Sequence, residues 1–285
     1  MATMRIVRSQ CDGCVSDVAI LRAMRILVTG AGRAIGRATV VELADRGHDV
    51  VATARNPELL KDLDGIEIQP LDVTSDESVA ACLAAAGELD AIVNNAALDG
   101  SGPLEDYPLD LLRQVIETNP IGALRMVQQV APSWRERGSG VIVNVSSVQG
   151  RVATPLAGAY AASKYALEAL SETLHYELGH FGIRIVVIEP GYIAPGMKHT
   201  TGHPGNAVYD ELRSQWDGID ATLTGPDGRP GPDLVAWAIA DAITDPQTPL
   251  RVPVGADAEM VLATRAQLGD ADFEAAMRAT IGLTW

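Results

Sequence analysis

From Arg25 to Val254 the chain alternates short, continuously apolar, β-rich runs with longer helical stretches, and no other feature limits its fold so tightly. The apolar runs are Ile26–Thr29, Val50–Thr53, Ile66–Pro70, Ala91–Val93, Val141–Val145, Ile183–Ile188 and Leu250–Val254. Between them lie helical stretches such as Ile35–Arg46, Glu77–Ala86, Leu109–Arg137 and Tyr160–Phe181. A strand with one wet face alternates apolar and polar residues; these runs do not, so helices must cover both faces of the sheet. Strand–helix–strand repetition then predicts an α/β fold, a single doubly wound parallel sheet of about seven strands with helices on both faces. Gly47, just past Arg46, reads as the C-terminal cap of the first helix. The stretch from Thr224 to Pro232 holds too much Gly and Pro for helix or strand and is expected to be a loop.

Residues 1–24 read differently, with Arg5, Arg8 and a Cys11-Asp-Gly-Cys14 pair ahead of a short apolar piece. A structural zinc site needs four ligands, and no second pair accompanies this one, so no metal is expected. The segment is expected to be a disordered or loosely packed extension of a domain spanning 25–285, and Met24, directly before the first strand, is a candidate natural start. The apolar stretch from Val18 to Val28 is cut by Arg22 and Arg25, too short for a spanning helix or a secretory signal. Three cysteines are too few for a disulfide scaffold. With 22 basic and 37 acidic residues the formal charge is −15, which disfavours nucleic acid and anionic membrane as partners. The expectation is a soluble, cytoplasmic protein.

The first apolar run passes into Thr29-Gly30-Ala31-Gly32-Arg33-Ala34-Ile35-Gly36 and then a helix. Glycines at a strand-to-helix turn let the backbone approach a pyrophosphate, and the helix N-terminus offers unpaired N–H groups and a positive dipole end. Gly30, Gly32, Arg33, Ala34, Ile35 and Gly36 are therefore expected to bind a dinucleotide. An NAD-selective site places Asp or Glu at the end of the second strand to hold the ribose 2′-hydroxyl. Here that strand ends Ala52-Thr53-Ala54-Arg55, without an acid. Arg55 and Arg33 either stand solvated or clamp a 2′-phosphate, which a guanidinium fits bidentately; on so acidic a chain their pairing at one junction favours NADP.

Tyr160-Ala-Ala-Ser-Lys164 opens a long helix, placing the phenol and the amine on one face. A free phenol has a pKa of ~10 and is a poor acid or base at neutral pH. A neighbouring ammonium favours phenolate and is expected to bring Tyr160 toward the working range. Ser147 stands thirteen residues earlier, at the C-terminal end of the fifth strand, the edge where open α/β sheets bind ligands.

With these residues in hand, the chain from about Arg25 to Val254 resembles the short-chain dehydrogenase/reductase family, a Rossmann-fold family. The motifs follow in the family's order: the glycine turn, Asp72-Val73, Asn94-Asn95-Ala96-Ala97, Asn119, Ser147, Tyr160 with Lys164, and Pro190-Gly191. The resemblance implies reversible hydride transfer between a nicotinamide and a carbonyl/alcohol pair, on a small-molecule substrate. It makes Tyr160 the proton donor and acceptor, Ser147 the group that polarises the carbonyl, Lys164 the residue that lowers the Tyr160 pKa and holds the nicotinamide ribose, and Asn119 the holder of a relay water. It also implies cofactor contacts at Asp72, Val73, Asn95, Ala96, Pro190, Gly191 and Ile193. Phrases such as Ala166-Leu-Glu-Ala-Leu-Ser-Glu and Ile188-Glu-Pro-Gly191 resemble the hydroxysteroid and retinol dehydrogenase-like branch.

Several positions depart from the family's pattern. Ala34 replaces its middle glycine, Ala97 the usual Gly, and Pro195 a Thr that often binds the nicotinamide amide. Pro120 directly follows Asn119 and is expected to mark a kink there. Residues 194–231 fall where the family builds its substrate lid. Met197, Tyr209, Leu212 and Trp216 either give that segment an apolar lining or, for Tyr209 and Trp216, pack the lid onto the body; Val148, Gln149, Tyr192 and Trp216 are the expected substrate contacts for a hydrophobic ketone or alcohol. The two longest helices form, in relatives, the interface of a homodimer or homotetramer. The last segment, Met260 to Trp285, reads as one or two amphipathic helices. The competing reading is a non-catalytic NADP-binding regulator or scaffold; retention of Ser147, Tyr160, Lys164 and Asn119 together speaks against it.

Overall fold

The computed structural model describes residues 22–197, 202–203, 205–217, 219, 222 and 228–285. The Cys11/Cys14 pair and most of the expected extension lie outside these residues, as do parts of the 194–231 segment. Seven strands are present: β1 (Arg25–Val28), β2 (Asp49–Ala54), β3 (Glu67–Pro70), β4 (Ala91–Asn94), β5 (Gly140–Val145), β6 (Ile183–Pro190) and β7 (Arg251–Val254). They form one parallel sheet in the order β3-β2-β1-β4-β5-β6-β7. The expected doubly wound α/β sheet is what the chain builds.

Period-2 geometry turns the continuous apolar runs into two cores. Ile26 and Val28 of β1 face a core shared with α1 (Ala34–Asp45) and α7 (Asp233–Thr244), through Val40, Leu43, Val235 and Ile239. Leu27, between them, faces the opposite core with Val79 of α2 (Asp76–Ala86), Met126 and Trp134 of α4 (Gly122–Arg137) and Leu178 of α5 (Gly158–Gly179). Each fully buried Val, Leu or Ile contributes about 1.5–3 kcal/mol, so both cores bind helices firmly to the sheet. Gly47 ends α1 as expected, with φ 86° and its N–H on the Ala44 carbonyl at 2.9 Å.

The helical stretch read over Leu109–Arg137, with a kink expected at Pro120, is α3 (Leu109–Ile116), a π-turn at Glu117–Ile121, and α4. Pro120 lies inside the π-turn and brings no N–H to a helical ladder, which is the physical reason for the break. After the short helix α6 (Asp210–Asp217) and α7, the chain closes with two helices, α8 (Ala256–Gln267) and α9 (Asp270–Ile281). Val261 and Phe273 of this pair pack on Val152 as a third, smaller cluster beside the C-terminal edge of the sheet. Among the described residues no helix is long and apolar enough to cross a membrane.

Candidate active site

The sheet order reverses between β1 and β4, and a cleft of about 1010 Å³ opens at the strand ends there. Its walls include every expected cofactor residue: Gly30, Gly32, Arg33, Ala34, Ile35, Gly36, Arg55, Asp72, Val73, Asn95, Ala96, Tyr160, Lys164, Pro190, Gly191 and Ile193. Ser147 and the expected substrate contacts Val148, Gln149, Tyr192 and Trp216 line the same cleft.

The glycine turn is tight for steric reasons. Gly30 has φ +67°, and a Cβ there would stand 2.8 Å from the Ala96 Cα. A Cβ on Gly36 would stand 2.4 Å from both the Gly30 carbonyl oxygen and Asn95 Nδ2. Asn95 faces the cleft, yet its amide donates to the carbonyls of Thr29 (2.9 Å) and Gly30 (3.1 Å). Its side chain thus braces the turn, a use that the resemblance did not imply. Ala34 is held at φ 44°, where a non-glycine residue carries a steric cost of roughly 1–2 kcal/mol. The residues fit a dinucleotide. The N-cap residue of α1, Arg33, makes no side-chain capping bond, and the first turn holds no acid, so its N–H groups meet no internal anion. Arg33 and Arg55 stand exposed at the rim, and neither forms a salt bridge among the described residues. Burial raises the Asp72 carboxyl, but Thr74's N–H and hydroxyl, with Arg55 and Arg125 nearby, outweigh it and hold the group below the usual range.

Tyr160 enters from the first turn of α5 and Ser147 from the end of β5. The Ser147 hydroxyl hydrogen-bonds the Tyr160 phenol, accepts the Gln149 N–H at 3.1 Å and lies 3.5 Å from the Pro190 carbonyl. Lys164 is buried, donates from Nζ to the Val145 carbonyl at 2.7 Å, and stands 5.4 Å from the centre of the Tyr160 ring. The expected acidification of Tyr160 by Lys164 does not appear. Burial pushes the phenol above its ordinary range; the bond from Ser147 opposes this and the Asp99 charge adds to it. Lys164 itself is driven down to about 8 by burial, with the Glu168 charge opposing. Its ammonium is engaged with a carbonyl and faces the ring, so desolvation governs both groups.

Asn119 is the one expected catalytic residue that does not line the cleft. It is 2% exposed, accepts the Leu98 N–H at 2.7 Å and donates to the Leu98 carbonyl (3.0 Å) and Ser163 Oγ (2.9 Å). The π-turn aims the amide into the wall of the fold, where it ties the segment after β4 to α5. Asn119→Ala leaves the Leu98 groups and the Ser163 hydroxyl short of partners. It is expected to cost about 1–3 kcal/mol and lower the thermal midpoint by about 3–8 °C. A melting curve superimposable on wild type would show that these bonds carry no load.

The substrate end of the cleft is more polar than its sequence implied. Met197 and Trp216 line it, whereas Leu212 is buried in the body and Tyr209 packs on Trp285, with ring centres 6.1 Å apart. Asp99, His203, Arg213 and Arg229 also face it, and none was among the expected substrate contacts. Their only signal was polarity in segments flanking the site, which a solvated loop gives equally. Among the described residues no group of three or more His, Cys, Asp or Glu could hold a metal ion.

A doubly wound sheet with this crevice defines a nucleotide-binding class, and comparisons with known proteins narrow it. The short chain dehydrogenase family model matches residues 24–204. Retinol dehydrogenase 8 of Homo sapiens is 40% identical over 179 residues, 58% of this chain and 58% of its own. A solved short-chain dehydrogenase from Streptomyces avermitilis is similar at 32% identity with a TM-score of 0.76, covering 92% of this chain and 100% of that one. A short chain dehydrogenase from Burkholderia cenocepacia J2315, in complex with NADP, is similar at 26% identity with a TM-score of 0.73, covering 93% and 99%. The chain belongs to the short-chain dehydrogenase/reductase family of nicotinamide-dependent oxidoreductases.

Proposed function

We propose that the protein is an NADP(H)-dependent oxidoreductase that interconverts the carbonyl and alcohol forms of a small, largely hydrophobic substrate in the cytoplasm. The observation that carries this reading is the Ser147 hydroxyl on the Tyr160 phenol, one helical turn from Lys164, in the wall of the cleft that begins at the glycine turn. The glycine turn and the N-terminus of α1 hold the pyrophosphate, Arg33 and Arg55 the 2′-phosphate, and Asp72 and Val73 the adenine side. Lys164 holds the nicotinamide ribose, and Ile193 with Pro190-Gly191 flanks the ring. The bound nicotinamide supplies or accepts the hydride.

Ser147 orients and polarises the carbonyl. Tyr160 gives its proton to the oxygen as the alcohol forms and is left as phenolate, which the Lys164 ammonium stabilises. Any part Asn119 takes in resupplying the proton goes through its backbone, because its amide is engaged. Val148, Gln149, Tyr192 and Trp216 form the substrate wall. Exposed apolar side chains such as Tyr165 and Tyr176 on α5 suit the packing of a homodimer or homotetramer.

The test is a panel of ketones, aldehydes and alcohols assayed for NADPH oxidation and NADP reduction, with Tyr160→Phe as control. Turnover that depends on Tyr160 supports the reading. Tight NADPH binding with no Tyr160-dependent turnover across the panel would leave the alternative, a cofactor-binding regulator or scaffold.

A further inference from the structure

Behind Lys164 the structure holds a buried charged cluster that the reaction as described does not use. Glu168 follows Lys164 by four residues on α5, the spacing that brings two side chains onto one face. It is 4% exposed, and Glu189 of β6 is 1% exposed. Arg251 of β7 donates from Nε to Glu168 at 3.0 Å, from its terminal nitrogen to Glu172 at 2.6 Å, and lies 4.0 Å from Glu189. Arg151 reaches Glu189 at 3.4 Å. Among the described residues these are the charged groups facing Glu168 and Glu189: Lys164 and Glu172 from α5, Arg251 from β7, and Arg151 from the loop after β5.

Among the described residues the second oxygen of Glu168 has no hydrogen-bond partner, nor does the buried Ser146 hydroxyl. Both face Gly150, where a Cβ would stand 2.7 Å from Ser146 Oγ and 3.2 Å from Glu168 Oε1. The carboxyl therefore reaches the segment that carries Ser147. A buried carboxylate with one oxygen unpaired costs stability, and a salt bridge of this kind is weak evidence of a stabilising role. One turn along the same face, its charge opposes the burial that lowers Lys164.

We propose that Glu168, anchored by Arg251, is a positioning residue that keeps Lys164 protonated beneath the catalytic phenol. The proposal rests on the oxidoreductase reading above. Removing Glu168 takes away the charge that opposes desolvation, so the Lys164 midpoint falls. Glu189, pushed up to about 7 by burial and by the Glu168 charge, with Arg151 and Arg251 opposing, is the next titrating group behind the pair.

The chain has only three lysines, Lys61, Lys164 and Lys198, so their side-chain carbons give three assignable signals in a lysine-labelled carbon NMR titration. Glu168→Gln, which removes the charge opposing burial, is expected to move the Lys164 midpoint down by about one unit. Glu168→Asp, which keeps the charge, should move it less. Glu172→Gln removes an exposed partner of the same Arg251 and should leave it in place. The alkaline limb of kcat/KM for reduction should follow the Lys164 midpoint in each variant. A Lys164 midpoint unmoved in both Glu168 variants, or moved equally by Glu172→Gln, overturns the proposal. If Glu168→Gln does not fold, the contrast between Glu168→Asp and Glu172→Gln decides. The NMR midpoint needs no turnover, so loss of the oxidoreductase reading, seen as activity independent of Tyr160, is distinguishable from loss of this one.

Discussion

Tyr160→Phe lowers kcat by about 10³-fold, within the 10²–10⁴-fold range of a positioned proton donor, while NADPH binding stays within about threefold of wild type. The variant keeps what holds the ring in place. The aromatic face remains over Lys164, whose Nζ stays on the Val145 carbonyl, and Ser147 keeps its contacts to Gln149 and Pro190. Only the phenol oxygen is lost. Ser147 cannot replace it, because a hydroxyl with an ordinary alcohol's acidity is a poor proton donor at neutral pH and its task is to orient the carbonyl. A loss confined to kcat marks an interaction made in the transition state; a loss confined to KM would mean that the oxygen serves only to bind substrate. The measurement is steady-state NADPH oxidation with the best panel substrate, alongside nucleotide fluorescence for binding. A variant that turns over within tenfold of wild type removes the phenol from the chemistry.

The sheet was legible because its physics is local. Continuous apolar runs announce strands covered on both sides, and period-2 alternation within β1 then sends Ile26 and Val28 to one core and Leu27 to the other. The glycine turn was legible for the same reason: Gly30 and Gly36 answer to close approaches that exclude a Cβ, and such positions leave glycine in the sequence. The break between α3 and α4 was visible only as Pro120, since the helical composition runs on through it and the π-turn depends on Asn119 finding Leu98 and Ser163 across the fold. Desolvation was not legible at all. Tyr160 and Lys164 at i and i+4 predict a pair that tunes itself, but burial by the whole domain sets both groups. The two buried acids beside this pair, Glu168 and Glu189, stand in the sequence inside the phrases Ala166–Glu172 and Ile188–Gly191, which show nothing of their burial. They come together only because α5, β6 and β7 pack side by side, a relation among positions more than eighty residues apart in the case of Arg251 and Glu168.

Arg55→Asp is expected to reverse the cofactor preference. Loss of a charge-assisted bond to a 2′-phosphate is worth about 1.5–3 kcal/mol, so kcat/KM with NADPH falls by roughly 10–150-fold. The new carboxylate repels the phosphate and offers the 2′-hydroxyl of NADH an acceptor, so the NADH value rises and the ratio changes by more than either alone. Asp72 complicates the outcome in a useful way. Arg55 is one of the cations that hold the Asp72 carboxyl below its usual range, and an acid at position 55 replaces that attraction with repulsion. Arg55→Gln separates the two effects: it removes the cation without adding an anion. The glutamine variant should lose NADPH affinity without gaining any for NADH, and its residual preference for NADPH should rest on Arg33 and disappear in Arg33→Gln/Arg55→Gln. Because both arginines are exposed, the wild-type preference should also shrink as ionic strength rises from 0.01 to 1 M, over which the Debye length falls from about 30 to 3 Å. A kcat/KM ratio unchanged in Arg55→Asp, and indifferent to salt in the wild type, would show that the arginines at this rim are solvated bystanders and that the cleft does not select its dinucleotide by the 2′-phosphate.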